Sequence, residues 1–346
     1  RQDTGLPAEA SPHAARLYVT SGLTDQVMRL DPQTGAVVST FDLDMRRDEV
    51  DEPHGVTISP DGRHWYVTLA HGNPTLWKFE LPDDRLVGRL RLGSKGAARV
   101  GVTPDGRLAF VPDYDRAGAG AVSEVMVVRT EDLHLVGRVD VCPAPHDAEV
   151  SPDGSLVGVT CSLSDEIVFL DPGTLDVVHR FFAGPEPGLP GEPRYKPLNL
   201  VWSPDGRFVH VTLSAAALIR TFSVEGDAVA EVPVGEGPAQ LASADDGRLL
   251  VIANRLDRTA SVVEVSFSPD GVPRLEERRR LQLDLPYPHG VALTPDGGRA
   301  FLTYEGEPGR AAGIVAVSTS DGVVSWVVEV GAYLLGAAYY TPKSGS

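Results

Sequence analysis

A four-residue turn returns along almost the whole chain at a spacing that few folds tolerate. Ser-Pro-Asp-Gly or Thr-Pro-Asp-Gly occupies 59–62, 103–106, 151–154, 203–206 and 294–297, with a degenerate Ser-Ala-Asp-Asp-Gly at 243–247. The aspartates before glycine are Asp61, Asp105, Asp153, Asp205, Asp246 and Asp296, separated by 44, 48, 52, 41 and 50 residues. Repeats of that length suit the four-stranded blades of a β-propeller. Each turn lies between short alternating apolar runs, as in Gly55-Val56-Thr57-Ile58 before it and Trp65-Tyr66-Val67-Thr68 after it, which is the pattern of a half-buried antiparallel hairpin. Proline sets one turn angle and glycine supplies the positive φ. With the hairpin strands named A and B, a third strand, a polar turn and a fourth follow as C and D, seen at 27–30, 31–35 and 36–43 and again at 167–170, 171–174 and 175–182. The Ser-Pro-Asp-Gly at 268–271 falls outside the period and reads as a C–D turn in blade five.

The chain ends give the blade count. Residues 16–43 supply B, C and D without an A, and 335–342 reads as an A with nothing after it. The sequence therefore predicts an all-β, seven-bladed propeller of four-stranded antiparallel blades over 16–342, flanked by an extension at 1–15 and a tail at 343–346. Joining the two ends in one sheet removes open strand edges. A β-sandwich accounts for neither the period nor the complementary ends.

Composition limits the partners. With 42% hydrophobic residues, 36 Gly and 28 Pro in 346 residues, the chain is neither a disordered tail nor a long-helix protein. A net charge of −17 offers no general field for polyanions, so nucleic acid is not an expected partner. No run of about 18 apolar residues exists, and no membrane span is expected. Arg1-Gln2-Asp3 opens no charged-then-apolar leader, as expected of a soluble or already processed chain, here taken as a monomer.

Tyr18-Val19-Thr20, Tyr66-Val67-Thr68 and the repeated turn resemble the YVTN-repeat propellers, within the quinoprotein-dehydrogenase-like and seven-bladed lactonase-like group. The resemblance covers 16–342 and implies the fold. For function it implies only a range, since such propellers include binding proteins, lactonases, lyases and redox enzymes.

In an antiparallel meander the D-to-A and B-to-C connections share one face, here called the top, and the repeated turns lie opposite. The long excursions at 44–52, 112–123, 183–196 and 305–313 are all top connections, which nominates that mouth as functional. Seven residues before each turn aspartate, where strand A begins beside the central channel, stand His54, Ala98, His146, Leu198, Ala239 and His289, with Gly336 approximately in register in the composite blade. The histidines fall on blades one, three and six, in steps of two, three and two, so three imidazoles can converge on the axis. That is the donor set of a three-histidine metal centre with an open position, for copper foremost, or for zinc or iron. Duplication of a Pro-His element offers a structural alternative, in which the imidazole bonds a neighbouring blade.

Other top candidates lie at or beyond the end of strand B. His71 and Glu305 could serve as general base, fourth ligand or partner to a ligand. Asp113, Asp115, Arg255 and Tyr304, with Arg99, Arg194 and Lys196, could contact a substrate, the cations neutralising an anionic one. Cys142 and Cys161 flank the top of blade three, where the hairpin register favours a disulfide suited to a periplasmic or secreted protein; a cysteine ligand beside His146 is the alternative. No phosphate loop, Gly-x-Ser-x-Gly elbow, His-Glu-x-x-His or haem attachment motif occurs. The sequence thus predicts a metal-dependent oxidoreductase or lyase acting on a small molecule. Its rivals are a non-enzymatic propeller that binds a protein or glycan partner, and a metal-free lactonase-like hydrolase.

Overall fold

A computed structural model describes residues 14–342 except 47 and 119, so most of the expected extension and the tail lie outside the described residues. The chain forms seven antiparallel sheets of four strands each. Six follow chain order, and the seventh pairs the last strand, Leu334–Tyr340, with the first, Arg16–Ser21. Blades are numbered one to six from Pro53, and the composite is blade seven. The Ser-Pro-Asp-Gly at 268–271 joins strands C and D of blade five.

The repeated turn is built as its sequence demands. In the first copy Ser59 Oγ donates to Asp61 Oδ1 at 2.6 Å, the Arg63 N–H donates to the same oxygen at 3.0 Å, and the Gly62 N–H donates to the Ser59 carbonyl at 2.8 Å. Gly62 has φ +71°, a conformation that glycine adopts at little cost. Strands A to C are buried, whereas strand D alternates toward solvent, as in Val37–Asp42. The apolar core is divided among the interfaces between blades. In one interface Tyr18 and Val27 of blade seven pack on Trp65 and Phe79 of blade one, whose rings stack at 3.9 Å.

The threonine of the Tyr-Val-Thr motif stitches blade to blade. Thr68 Oγ1 accepts from the Gly55 N–H of its own blade at 3.0 Å and donates to the Ala98 carbonyl of the next at 2.6 Å. Thr20, Thr160, Thr212 and Thr303 repeat this at the carbonyls of His54, Leu198, Ala239 and Leu335. Except for Leu335, these are the strand A positions that the sequence alignment placed at the channel.

Two details depart from expectation. Strand A of blade two is only Gly101–Val102, so Ala98 precedes it in irregular chain. In blade seven Leu334 lies opposite Ser21 as Pro53 lies opposite Leu69, which makes Leu335, and not Gly336, the counterpart of His54. Cys142 and Cys161 form a disulfide. Strand D of blade two runs on to Pro143, so the bridge ties blade two to strand B of blade three. With both sulfurs in the bridge, neither is a thiolate ligand in this structure.

One carboxylate closes the ring. Asp84, in the C–D turn of blade one, is 8% exposed and accepts from Arg16, Arg29 and Tyr18 of blade seven and from the Trp65 indole at 3.0 Å. Removing it takes the counter-ion from the buried Arg16 and the partly buried Arg29. Asp84→Ala is expected to lower stability by about 3–5 kcal/mol in urea unfolding, as for a broken buried pair. A loss below about 1 kcal/mol, the worth of an exposed pair, would contradict this role.

His210 in strand B of blade four is 1% exposed, and its Nδ1 lies 2.8 Å from Thr221 Oγ1. Burial pushes its pKa down to about 4. Between the ordinary imidazole value and 4 the unfolded chain binds a proton that the folded chain refuses, so stability is full above the ordinary value and falls with pH across that window. His210→Phe is expected to remove about 2 kcal/mol of the difference in unfolding free energy between pH 7 and pH 4.5. An unchanged difference would show that His210 is not buried neutral.

Candidate functional site

Each candidate histidine follows a proline as the second residue of strand A: His54 in Pro53–Ile58, His146 in Pro145–Val150 and His289 in Pro288–Leu293. The three rings gather at the top of the channel. His54 lies between the others, its centroid 5.6 Å from that of His146 and 6.0 Å from that of His289, nearly edge-on to both. His146 Nδ1 is 2.8 Å from the Leu198 carbonyl, and His289 Nδ1 is 3.1 Å from the Leu335 carbonyl. A carbonyl only accepts, so each Nδ1 carries the proton and each Nε2 keeps its lone pair. These bonds run to the next blade, as the structural alternative anticipated, and they are also the bonds that orient a metal-binding imidazole.

His54 is held differently. Its Nδ1 faces Glu52 Oε1 at 3.5 Å, and neither ring nitrogen has a hydrogen-bond partner although both are buried. The other Glu52 oxygen lies 3.6 Å from Nε2 of the half-exposed His71. Burial alone would raise the Glu52 pKa, but His54, His71 and His289 outweigh it and hold the carboxyl below its usual range. Burial, reinforced by His54, pushes His289 down to about 3 and His146 well below the ordinary imidazole value. Both rings are therefore neutral at pH 7, the form that binds metals.

The mouth above them encloses about 270 Å³. Besides the histidines it is lined by Glu52, Tyr114, Arg116, Lys196, Arg255, Glu305 and Tyr333. Glu305 is 6% exposed and bound bidentately by Arg255 at 2.6 and 2.7 Å, so its carboxylate is committed to that guanidinium. Lys196 forms no salt bridge among the described residues, and burial together with Arg116 and Arg255 pulls its amine below the ordinary value. The mouth thus presents positive charge above neutral imidazoles, on a protein that is acidic overall.

Other candidates stand elsewhere. Arg99 is in the channel, 3.6 Å from the buried Asp147 and hydrogen-bonded to Gln240. Asp113 accepts from the Gly96 N–H, and Asp115 pairs with Lys95, so both brace a loop. Tyr304 packs in the core between blades five and six. Arg194 pairs with Glu186 at the surface. None of these lines the mouth.

Glu52, Tyr114, Arg116 and Tyr333 do line it and were not singled out by sequence. A signal existed for the loops that carry some of them. Asp25 and Asp165 hold equivalent B–C turn positions, in Thr-Asp-Gln and Ser-Asp-Glu, both with positive φ. Asp25 accepts the N–H groups of Asp51 and Glu52, and Asp165 those of Gly188, Arg194, Tyr195 and Lys196. Each turn aspartate thereby fixes the D-to-A loop that follows it in the chain, with that loop's charged tip. Among the described residues, Asp25, Asp44 and Asp51 are the acidic or imidazole trio with donor atoms mutually within 4.8 Å. Oxygens of Asp25 and Asp51 are taken by backbone N–H groups. The three histidine nitrogens do not close to 4.8 Å.

No family model and no curated protein matches the chain. Solved structures do. A functionally unknown protein from Desulfotomaculum acetoxidans superposes with a TM-score of 0.73 at 16% identity, over 95% of this chain and 99% of that one. The periplasmic gluconolactonase PpgL of Pseudomonas aeruginosa gives 0.70 at 19%, over 95% and 100%. The dihydro-haem d1 dehydrogenase NirN, in complex with DHE, gives 0.60 at 17%, over 96% and 76%. At these identities the likeness is one of fold: a seven-bladed β-propeller with lactonase-like structural neighbours. Among the described residues no helix is long and apolar enough to cross a membrane.

Proposed function

We propose that the top mouth is a metal-dependent site for a small anionic molecule, with a copper, zinc or iron ion held by Nε2 of His54, His146 and His289. The observation that carries this reading is that the protein engages the three rings through Nδ1. Two Nδ1 atoms donate to backbone carbonyls and the third faces a carboxylate, so all three Nε2 atoms are left for another partner. Three ligands at about 2.0–2.1 Å from one ion require their nitrogens to draw together, so binding calls for small ring rotations inward. Such an ion polarises a substrate oxygen or lowers the pKa of bound water. Glu52 orients His54 and links it to His71, which reaches solvent and is placed to pass a proton to or from the mouth. Arg116 and Lys196 receive the anionic group, and Glu305 holds Arg255 against the same opening. The disulfide suits an oxidising compartment, periplasmic or extracellular.

A second reading, a metal-free lactonase-like hydrolase, is favoured by the gluconolactonase fold likeness and by the half-buried Lys196. Metal analysis of protein titrated with copper, zinc and iron salts separates the two. One ion per chain is expected, lost in His54→Ala, His146→Ala and His289→Ala, and bound about 10–100-fold more weakly in Glu52→Gln. A wild type that binds none of the three ions contradicts the metal reading. Hydrolysis of a sugar lactone by such metal-free protein establishes the second. Absence of both leaves a binding propeller.

A further inference from the structure

A second cavity, of about 980 Å³, opens on the opposite face among the repeated turns of blades one to three. Its inner wall carries a cation at the position that Arg29 holds in the ring-closing clamp, but without the clamp's carboxylate. Blades seven and one each set a strand B tyrosine opposite a strand C cation: Tyr18 opposite Arg29, and Tyr66 opposite Lys78. In blade seven that pair meets Asp84, the last residue of the next blade's C–D turn, held at φ +53°. The corresponding turn of blade two is aligned by its backbone, since the Thr130 N–H donates to the Arg107 carbonyl as the Leu81 N–H donates to the Arg63 carbonyl. Its last residue, at φ +51°, is Leu133. The Trp65 indole that supports Asp84 is replaced, at the equivalent strand position of blade two, by the methyl of Ala109.

Tyr66 and Lys78 thus keep the arrangement of the clamp without its carboxylate. Lys78 is 5% exposed and donates to the Thr130 carbonyl at 2.8 Å, yet it forms no salt bridge among the described residues. Its ammonium lies 6.0 Å from the Tyr66 ring centre, and Tyr66 Oη is buried without a hydrogen-bond partner. Asp61, Glu80 and Glu131 face the same cavity. Asp61 is taken by Ser59 and the Arg63 N–H, and Glu80 by Arg85. A buried ammonium with no carboxylate at salt-bridge distance is costly, and burial pulls the Lys78 amine below its usual range against the opposing pull of Asp61, Glu80 and Glu131.

We propose that this cavity is a second ligand site, in which the oxyanion group of a small molecule, a carboxylate or a phosphate, meets Lys78, the cation that lacks the carboxylate partner Arg29 has in Asp84. The guanidinium of Arg63, which forms no salt bridge among the described residues, stands at the rim as a further cation. The site is independent of the mouth.

Calorimetric titration of the full chain with acetate and with inorganic phosphate tests this and distinguishes the two anions. One-to-one binding of at least one is expected in Arg116→Ala/Lys196→Ala protein, whose mouth no longer offers those cations, and it is weakened at least about tenfold on adding Lys78→Met or Leu133→Asp, which supplies the missing carboxylate from the chain itself. Arg63→Gln, at the exposed rim, serves if either variant fails to fold, and a weakened titration is again expected. The proposal is overturned if neither anion binds this protein at about 10 mM, a threshold set by millimolar affinity. It is equally overturned if the folded Lys78 and Arg63 variants bind unchanged.

Discussion

The channel geometry rests on one recurring interaction, the strand B threonine that accepts from its own blade and donates to a carbonyl at the start of strand A of the next. Five such stitches fix the carbonyls of His54, Ala98, Leu198, Ala239 and Leu335 around the axis. Two of these carbonyls serve twice. Leu198 O receives Thr160 and His146, and Leu335 O receives Thr303 and His289. A hydroxyl with one donor and two lone pairs fills both roles without leaving a buried polar atom unpaired. The hydrogen bonds that close the propeller therefore also set the tautomer of two of its central imidazoles.

Charge is distributed by the same logic of shared anchors. Buried aspartates act as acceptors for the backbone more than as partners for cations, and they determine where exposed charges stand. Asp25 places Glu52 behind His54, and Asp165 places Lys196 over the mouth. Asp84 is the exception, since it meets two guanidinium groups directly, and its burial makes that contact far stronger than a surface pair. The outcome is an acidic protein with Arg116, Lys196 and Arg255 gathered at one opening, above the neutral rings of His146 and His289.

The fold was legible because the turn chemistry is local. Ser-Pro-Asp-Gly encodes its own hydrogen bonds, so its period reports the blades directly, and the complementary ends report closure. The histidines were legible for a related reason, because the repeat supplies a register and Pro-His stands out against it. Residues that reach the mouth from irregular loops follow no register. Asp113, Asp115 and Tyr304 were nominated by position at the end of strand B, yet loop backbone or apolar packing claims them. Glu52 escaped notice because its role depends on Asp25 turning the loop, a contact between residues 27 apart. The alignment placed Ala98 correctly although its inner strand is cut short, and missed by one residue only in blade seven, at Gly336.

The central claim is that three imidazoles turn their Nε2 atoms toward one point on the axis. Anomalous diffraction from crystals grown with one equivalent of copper or zinc measures this directly. The account predicts a single peak above the channel within about 2.1 Å of Nε2 of His54, His146 and His289. No peak there, or a peak only among Asp25, Asp44 and Asp51, would contradict it.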